Sequence, residues 1–158
     1  MRGVEMASLD KHYMSLALAL AESAFARGEV PVGAVLVVEG KLVGWGSNHR
    51  MEDGDVFGHA EVEALRVASE SLGDWRFLRS TLYVTLEPCI MCTGALQQAR
   101  VDRVVFGCRD PKAGALRSLF ALGEDPRLPH RIRVEEGLMA EASSTLLRSF
   151  FDRLRKQK

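Results

Sequence analysis

Hydrophobic and polar residues alternate along this chain in patterns that predict helices and strands in turn. Four segments are predicted to be helical, most clearly the first two, where apolar residues recur every three or four positions. They are a first helix that ends before Gly28 and then the segments 59–71, 89–99 and 139–155. Ser8 and Asp10 are the candidate N-caps of the first helix.

Five shorter runs, rich in apolar or β-branched residues, predict strands. They cover residues 32–38, 41–46, 81–86, 101–106 and, with a weaker pattern, 132–134. Glu39-Gly40 is a two-residue turn signal that makes the first two strands a hairpin, the one antiparallel pair that the sequence itself indicates. Residues 48–58 are polar and contain two glycines, so we expect a loop there. Helices that alternate with strands predict a three-layer α/β fold, and the length suits one domain over residues 1–158.

Composition narrows the classes of protein to which the chain could belong. With 47% apolar and 27% charged residues it has the make-up of a globular protein. No window approaches ~18 uninterrupted apolar residues, so we expect no membrane span. The N-terminus lacks a basic run followed by an apolar region, so we expect no secretory leader and a cytoplasmic location.

Charge is balanced over the whole chain but uneven along it. Residues 1–80 hold 8 basic and 12 acidic side chains, whereas residues 81–158 hold 13 basic and 9 acidic ones. The basic residues are densest over residues 148–158. A basic last turn ordinarily complements a helix dipole, so composition alone favours a solvated helix end over a nucleic-acid surface.

Two short motifs carry potential ligands at metal-binding spacing. His59-Ala60-Glu61 stands at the start of one predicted helix, and Pro88-Cys89-Ile90-Met91-Cys92 stands at the start of the next. Because helices that follow strands begin at the carboxyl edge of a sheet, we expect both motifs to lie at that edge. Cys89 and Cys92 are three residues apart and so face the same side of a helical turn, whose N-terminus favours thiolates.

One imidazole and two thiolates predict a catalytic zinc site. A structural zinc site closes with four protein ligands, whereas a catalytic one leaves its fourth position to water. No fourth ligand has motif spacing, although Cys108 and the other histidines could in principle reach the metal. Zinc lowers the pKa of bound water from about 16 to about 7. Glu61, two residues past His59, is the carboxylate that we expect to carry protons without binding the metal.

Each motif taken alone has a simpler interpretation. An isolated Cys-x-x-Cys suits a thioredoxin-like redox pair or two small buried residues, and a His-x-Glu triplet often arises by chance. The combination favours the metal site, because a proline precedes the first cysteine and one helix and one strand separate the two motifs.

Longer segments around these motifs resemble the bacterial tRNA-specific adenosine deaminases of the cytidine deaminase superfamily. The matching segments are residues 31–37, 59–61, 82–92 and 103–115, and the likeness extends from the first helix to Phe150-Phe151. The resemblance implies a cytidine deaminase-like α/β/α fold around a mixed five-stranded sheet, one Zn²⁺ per subunit and a homodimer. It also implies hydrolytic conversion of adenosine to inosine at the wobble position of a tRNA anticodon.

The same resemblance implies roles for individual residues. Zinc-bound water would attack C6 of the adenine, and Glu61 would take a proton from that water and deliver protons to the ring and the departing ammonia. Asn48 would contact the base, and Asp110 would help to hold the flanking nucleotides of the anticodon stem-loop. Val32 and Leu86 would line the pocket. Without the family, Asn48 and Asp110 are ordinary turn formers.

The ends of the resemblance carry further expectations. The C-terminal helix, with Phe150, Phe151 and its basic residues, would lie near the RNA. Without the family, the simpler expectation is that one of the two rings is in the core and the other half-exposed. Cys108 is expected to be a small buried residue at a strand end and not a ligand. The chain departs from the family's usual residues over residues 55–58, before His59, at Leu116-Arg117 and at Pro129, which alters the loops that would face RNA.

Two other functions stay open on the sequence. A free-base or nucleoside deaminase that acts on guanine or cytosine would use the same zinc machinery and differ only in its pocket and loops. A non-catalytic, zinc-containing RNA-binding subunit is the other class of protein. Glu61 argues against that class, because a structural site has no use for an unligated carboxylate beside the metal.

Overall fold

The computed structural model describes residues 2–158, and it follows the predicted alternation of helices and strands. In chain order the elements are α1 Arg2–Ala26, β1 Gly33–Val38, β2 Lys41–Ser47, α2 Arg50–Asp53, α3 Ala60–Leu72, β3 Ser80–Leu86, α4 Ile90–Gln98, β4 Arg103–Cys108, β5 Arg133–Glu136 and α5 Ala140–Lys156. The predicted strands and helices are all present, and apart from the start of α1 their ends lie within two residues of the prediction.

The strands form one mixed sheet in the order β2-β1-β3-β4-β5. β1 and β2 pair antiparallel as the predicted hairpin, with Glu39 and Gly40 both at positive φ in its turn. β1 also pairs antiparallel with β3, a second antiparallel pair that the sequence did not indicate. The crossover through α3 returns the chain parallel to β2, and β1 lies between the two strands and runs opposite to both. β3, β4 and β5 are parallel.

Helices cover both faces of this sheet, which confirms the three-layer α/β/α fold. Alternate strand residues point to opposite faces. Leu36, Leu82 and Phe106 pack with α3 and α4 on one face. Val35, Tyr83 and Val105 pack with α1 on the other. α5 also lies on the α1 side, where Ser143 sits against Gly107 of β4. Within residues 2–158, no helix combines the length and apolar character that crossing a membrane would require.

The first helix begins earlier than the sequence predicted. α1 starts at Arg2, so Ser8 and Asp10 are not its N-caps. Asp10 instead lies inside the helix and is buried, where its Oδ2 is 2.6 Å from Nη2 of Arg103 on β4. The Tyr83 hydroxyl donates to Asp10 Oδ1 at 2.6 Å. Asp10, which local sequence rules predicted as a helix cap, therefore forms an ion pair that joins α1 to β4.

The predicted loop over residues 48–58 contains a short helix. α2 spans Arg50–Asp53 and ends at Gly54 in the left-handed conformation. The buried carboxylate of Glu29 accepts hydrogen bonds from the backbone N–H groups of Met51 and Glu52 at the start of α2. This contact spans more than twenty residues of chain, so the local pattern of residues 48–58 could not have indicated it.

Two glycines of β2 let α3 approach the sheet closely. A Cβ at Gly44 would overlap the carbonyl of Ala64, and a Cβ at Gly46 would meet the carbonyl of Ala60. A side chain at either position would therefore push α3 away from the sheet. The first turn of α3 carries the motif His59-Ala60-Glu61, so this close packing fixes the position of that motif.

The buried pair of Asp10 and Arg103 predicts a stability effect that depends on pH. Burial alone would raise the pKa of Asp10, but hydrogen bonds from Arg103 and Tyr83 outweigh it and lower the pKa. Asp10→Asn leaves the Arg103 charge with only Glu135, so we expect a loss of about 3 kcal/mol in unfolding free energy, at the low end of the usual ~3–5. Urea unfolding at neutral pH measures that loss.

The sign of the pH dependence follows from the lowered pKa. The ionised carboxylate stabilises the fold above the unfolded-state pKa of about 3.9, and its contribution is lost as the pH falls through the folded-state pKa. The difference between wild type and Asp10→Asn should therefore shrink below about pH 4. Asp152→Asn is the matched control, because it removes an exposed pair with Arg155. Equal destabilisation by the two variants would contradict the assigned role of Asp10.

Candidate metal centre and active site

One edge of the sheet gathers the residues that the sequence singled out. Asn48 follows the end of β2, and Val32 immediately precedes β1 at the same edge. Because β1 runs antiparallel to β3, its first residues lie beside the end of β3, where Leu86 stands. β4 runs parallel to β3 and ends two residues before Asp110. The four residues predicted to bind substrate therefore lie along one edge of the sheet.

The three predicted ligands converge at this edge. His59 is the N-cap of α3, Cys89 is the N-cap of α4, and Cys92 lies in the first turn of α4. His59 Nδ1 is 3.6 Å from Cys89 Sγ and 3.3 Å from Cys92 Sγ. The ligand atoms of all three residues lie within 4.8 Å of one another. Two helix N-termini thus bring together residues that are about thirty positions apart in the chain.

This arrangement fits a tetrahedral zinc ion. With a Zn–S bond of ~2.3 Å and a Zn–N bond of ~2.05 Å, a tetrahedral angle at zinc places the sulfur and nitrogen atoms about 3.6 Å apart. The observed separations of 3.6 and 3.3 Å agree with that value. Within the described residues 2–158, the group of potential ligands holds these three side chains and no fourth. The donor set therefore matches the catalytic class of zinc site, which leaves one position for water.

The three clustered side chains shift one another's pKa values. A hydrogen bond from the Cys92 thiol lowers the pKa of Cys89 to about 4, and the His59 ring adds to the effect. The same hydrogen bond and burial raise the pKa of Cys92. The pKa of His59 is raised, chiefly through its contact with Cys89. Of the two thiols, Cys89 is thus the one favoured as a thiolate, the form in which cysteine binds metal.

Glu61 lies in the first turn of α3, beside this cluster, and is only 4% exposed. Burial raises the pKa of its carboxyl group to about 7. Its carboxylate also influences the pKa of the Cys92 thiol, which places it next to the ligands, although it is not one of the three clustered donors. Glu61 is therefore buried in the helical turn that follows His59, and its role as a proton carrier stays a prediction.

Asn48 has a structural contact that the sequence did not predict. Its Oδ1 accepts a hydrogen bond of 2.9 Å from the backbone N–H of Ala60, the residue between His59 and Glu61. The Asn48 side chain thereby ties the end of β2 to the first turn of α3. Its backbone N–H donates to the carbonyl of Val32 at 3.1 Å, which joins two of the predicted pocket residues. Contact between Asn48 and a base stays a prediction.

Asp110 behaves as the turn former that its sequence context allowed. Its Oδ1 accepts hydrogen bonds from the backbone N–H groups of Lys112 and Ala113. Leu86 is partly buried and Val32 is almost fully buried, at 3% exposure. The roles of these residues toward a substrate stay predictions, because their protein contacts alone do not define a ligand.

Two expectations about flanking residues are confirmed. Phe150 is in the core, at 2% exposure, whereas Phe151 is 44% exposed. Cys108 is buried at the end of β4, where its thiol contacts the carbonyl of Thr85 at 3.7 Å. It does not belong to the ligand cluster found within residues 2–158.

The sequence did not assign a role to Glu87, which the structure makes prominent. This carboxylate follows β3 directly, is 2% exposed and accepts several hydrogen bonds from the loop after β4. Burial alone would raise the pKa of Glu87, but hydrogen bonds from Ser118, Arg117 and Asp110 outweigh it and lower the pKa. The only sign of this role in the sequence was a charged residue directly before Pro88-Cys89. Its partners could not be predicted, because they lie more than twenty residues away in the chain.

Comparisons with known proteins agree on one family. Residues 7–108 match the family described as the cytidine and deoxycytidylate deaminase zinc-binding region. The chain is 44% identical over 150 residues to a tRNA-specific adenosine deaminase of Haemophilus influenzae, which covers 94% of this chain and 87% of the relative. It is 42% identical over 149 residues to a tRNA-specific adenosine deaminase of Bacillus subtilis, which covers 94% and 92% of the two chains.

A solved structure shows the same architecture. It comes from a study of A-to-I editing by tRNA:A34 deaminases at the wobble position of transfer RNA. The two structures superpose with a TM-score of 0.82 at 43% sequence identity, and the match covers 86% of this chain and 99% of that one. The similarity therefore extends over most of this chain and nearly all of that one.

The geometry predicts which cysteines hold the metal. Cys92→Ser should weaken zinc binding at least about tenfold, because serine is a poor zinc ligand and even indirect partners of ligands are worth that much. Elemental analysis of the purified protein measures zinc per chain. Cys108→Ser is the matched control, because it is also buried and should keep its zinc. Equal zinc loss from both variants would contradict the ligand assignment.

Proposed function

This chain belongs to the zinc-binding cytidine and deoxycytidylate deaminase family and, within it, to the tRNA-specific adenosine deaminases, and from that premise we propose that it deaminates adenosine to inosine at the wobble position of a tRNA anticodon. The observation that carries the proposal is the buried cluster of His59, Cys89 and Cys92 with Glu61 beside it. The reaction class is hydrolysis, in which water replaces the amino group and ammonia leaves.

The residues of the site divide the work of this reaction. His59, Cys89 and Cys92 would hold one zinc ion in each subunit, which when bound lowers the pKa of water and so supplies a nucleophile at neutral pH. Glu61 would accept a proton from the attacking water and deliver it to the ring nitrogen, and it would then carry the second proton of that water to the leaving amine. The surrounding protein excludes bulk water from Glu61, which prevents loss of that proton to solvent.

The remaining edge residues would orient the base. The Oδ1 atom of Asn48 is occupied by the Ala60 backbone N–H, which leaves its amide nitrogen as the group that would donate to an acceptor of the purine. Val32 and Leu86 would form the apolar walls, and Asp110 would hold the flanking nucleotides through the loop that it shapes. Support for an RNA substrate comes from the relatives, which are named for tRNA, and from the basic helix α5.

Several wider features belong to the same proposal. We infer a homodimer, which the family relation supports together with Ile90, Leu119 and Phe120, three large apolar side chains that are at least half exposed. We also propose that residues 1–158 form a single deaminase domain and that the enzyme works in the cytoplasm, where tRNA is available. The single five-stranded sheet, which contains all of the strands, supports the single domain.

The substrate is tested by a mass-spectrometric assay of deamination. We expect the purified protein with zinc to convert the wobble adenosine of an anticodon stem-loop to inosine. Free guanine, free cytosine and free adenosine are incubated in parallel, and the products sought are xanthine, uracil and inosine. Conversion of a free base at the rate of the stem-loop would replace the proposed substrate with a small molecule. No turnover of any of them would favour a non-catalytic subunit.

The role of Glu61 is tested by Glu61→Gln. The amide keeps the size of the side chain but cannot carry the proton, so we expect the rate of inosine formation to fall about 10²–10⁴-fold with zinc content unchanged. Glu63→Gln is the matched control on the same helix, where Glu63 pairs with Arg66 and is more exposed. A turnover rate for Glu61→Gln equal to that of Glu63→Gln would remove Glu61 from the mechanism.

A further inference from the structure

Glu87 is a buried carboxylate that neither metal binding nor proton transfer uses. It lies between the last residue of β3 and the segment Pro88-Cys89 and is 2% exposed. Burial of a charged group costs free energy unless hydrogen bonds replace the lost water. The partners of Glu87 therefore indicate what the charge does in this fold.

Those partners all come from one loop, residues 110–118, which follows β4. Its backbone N–H groups donate to the Glu87 carboxylate at four positions, with lengths of 2.7 to 3.1 Å: Asp110, Leu116, Arg117 and Ser118. The Ser118 hydroxyl donates a fifth hydrogen bond to Glu87 Oε1. Both carboxylate oxygens accept hydrogen bonds, and all five donors belong to the 110–118 loop. A single side chain thus provides acceptors for both ends of the 110–118 loop.

The loop is also tied to the segment that carries a metal ligand. The backbone N–H of Ala115 donates to the carbonyl of Pro88 at 2.9 Å, and Gly114 forms an isolated β-bridge with Cys89. A Cβ at Gly114 would overlap the Glu87 carboxylate, so a larger residue there would have to displace either the carboxylate or the loop. Glu87 and the 110–118 loop are therefore packed against each other as one unit beside the metal ligand Cys89.

The loop has an inner and an outer half. Gly114, Ala115 and Leu116 are buried against Glu87, whereas Pro111, Lys112 and Ala113 are exposed to solvent. A loop held in this way presents its exposed residues at the sheet edge in one conformation. Binding to a preformed loop avoids the entropy cost of ordering it when the ligand arrives.

We propose that Glu87 is a positioning residue, which holds the 110–118 loop against the Cys89 segment in the conformation that receives the RNA strand flanking the target adenosine. The inference rests on the proposed function and adds to it a residue that controls binding of the polynucleotide and not the chemical step. The hydrogen bonds to the Glu87 carboxylate come from the 110–118 loop, and Glu87 is not one of the three clustered donors, so its effect on the reaction would run through the loop.

Glu87→Gln tests this role directly. Glutamine has the same shape, but its amide group would direct N–H donors at backbone N–H donors and leave some of them without an acceptor. We expect the KM for the anticodon stem-loop to rise on the order of tenfold while kcat changes less than about threefold and zinc content stays that of wild type. Hydrogen exchange should show faster exchange of the amides of Leu116, Arg117 and Ser118.

Glu29→Gln is the matched control for buried carboxylates. Glu29 also accepts backbone N–H bonds, but from Met51 and Glu52, so its variant should leave amide exchange over residues 110–118 as in wild type. Gly114→Ala approaches the same contact from the other side, because its methyl group would displace the carboxylate that remains in the chain. It should reproduce both the KM increase and the faster exchange.

The outcomes separate this inference from the function on which it rests. A wild-type protein that deaminates no stem-loop contradicts the proposed function, and the exchange data then still report whether Glu87 holds the loop. With an active wild type, an unchanged KM or unchanged loop exchange in Glu87→Gln overturns the positioning role. A fall in kcat alone, or loss of zinc, overturns it as well. If Glu87→Gln does not fold, the KM and exchange of Gly114→Ala decide between the same results.

Discussion

The structure depends on the convergence of two helix N-termini at one point. His59 at the start of α3 and Cys89 at the start of α4 bring their donor atoms to 3.6 Å from each other, although thirty residues separate them in the chain. Gly44 and Gly46 allow α3 to lie close to β2, and Asn48 fixes the first turn of α3 by a hydrogen bond to Ala60. The parallel pairing of β3 with β4 places Cys89, which follows β3, at the same edge of the sheet as the loop after β4.

The motifs of the sequence identified the chemistry because ligand chemistry is local. A histidine and two cysteines bind zinc through their own side-chain atoms, and the spacing Cys-x-x-Cys is set by one helical turn. The strands were predictable for a similar reason, since buried apolar runs such as β1 and β3 need no knowledge of their neighbours. What the sequence could indicate was therefore each ligand and each element separately.

The features that were missed involve partners distant in the chain. Asp10 has the residue type of a helix cap, but it lies inside α1, where Arg103 from β4 compensates for the burial of its charge. The short helix α2 depends on Glu29, and the 110–118 loop depends on Glu87. In each case a buried charge finds its counterpart through the tertiary fold. Local propensity is silent about such contacts because it describes neighbours along the chain.

The number of hydrogen-bond donors around a buried carboxylate decides whether its pKa rises or falls, as Glu61 and Glu87 show. Glu61 and Glu87 are both almost fully buried, and burial alone raises the pKa of each. Hydrogen bonds from Ser118, Arg117 and Asp110 lower the pKa of Glu87, which accepts five hydrogen bonds in all and so holds a loop. Glu61 lacks such a set, so its pKa rises to about 7. Because a stably charged group can organise donors but exchanges protons poorly, the two glutamates suit different tasks although they share one residue type.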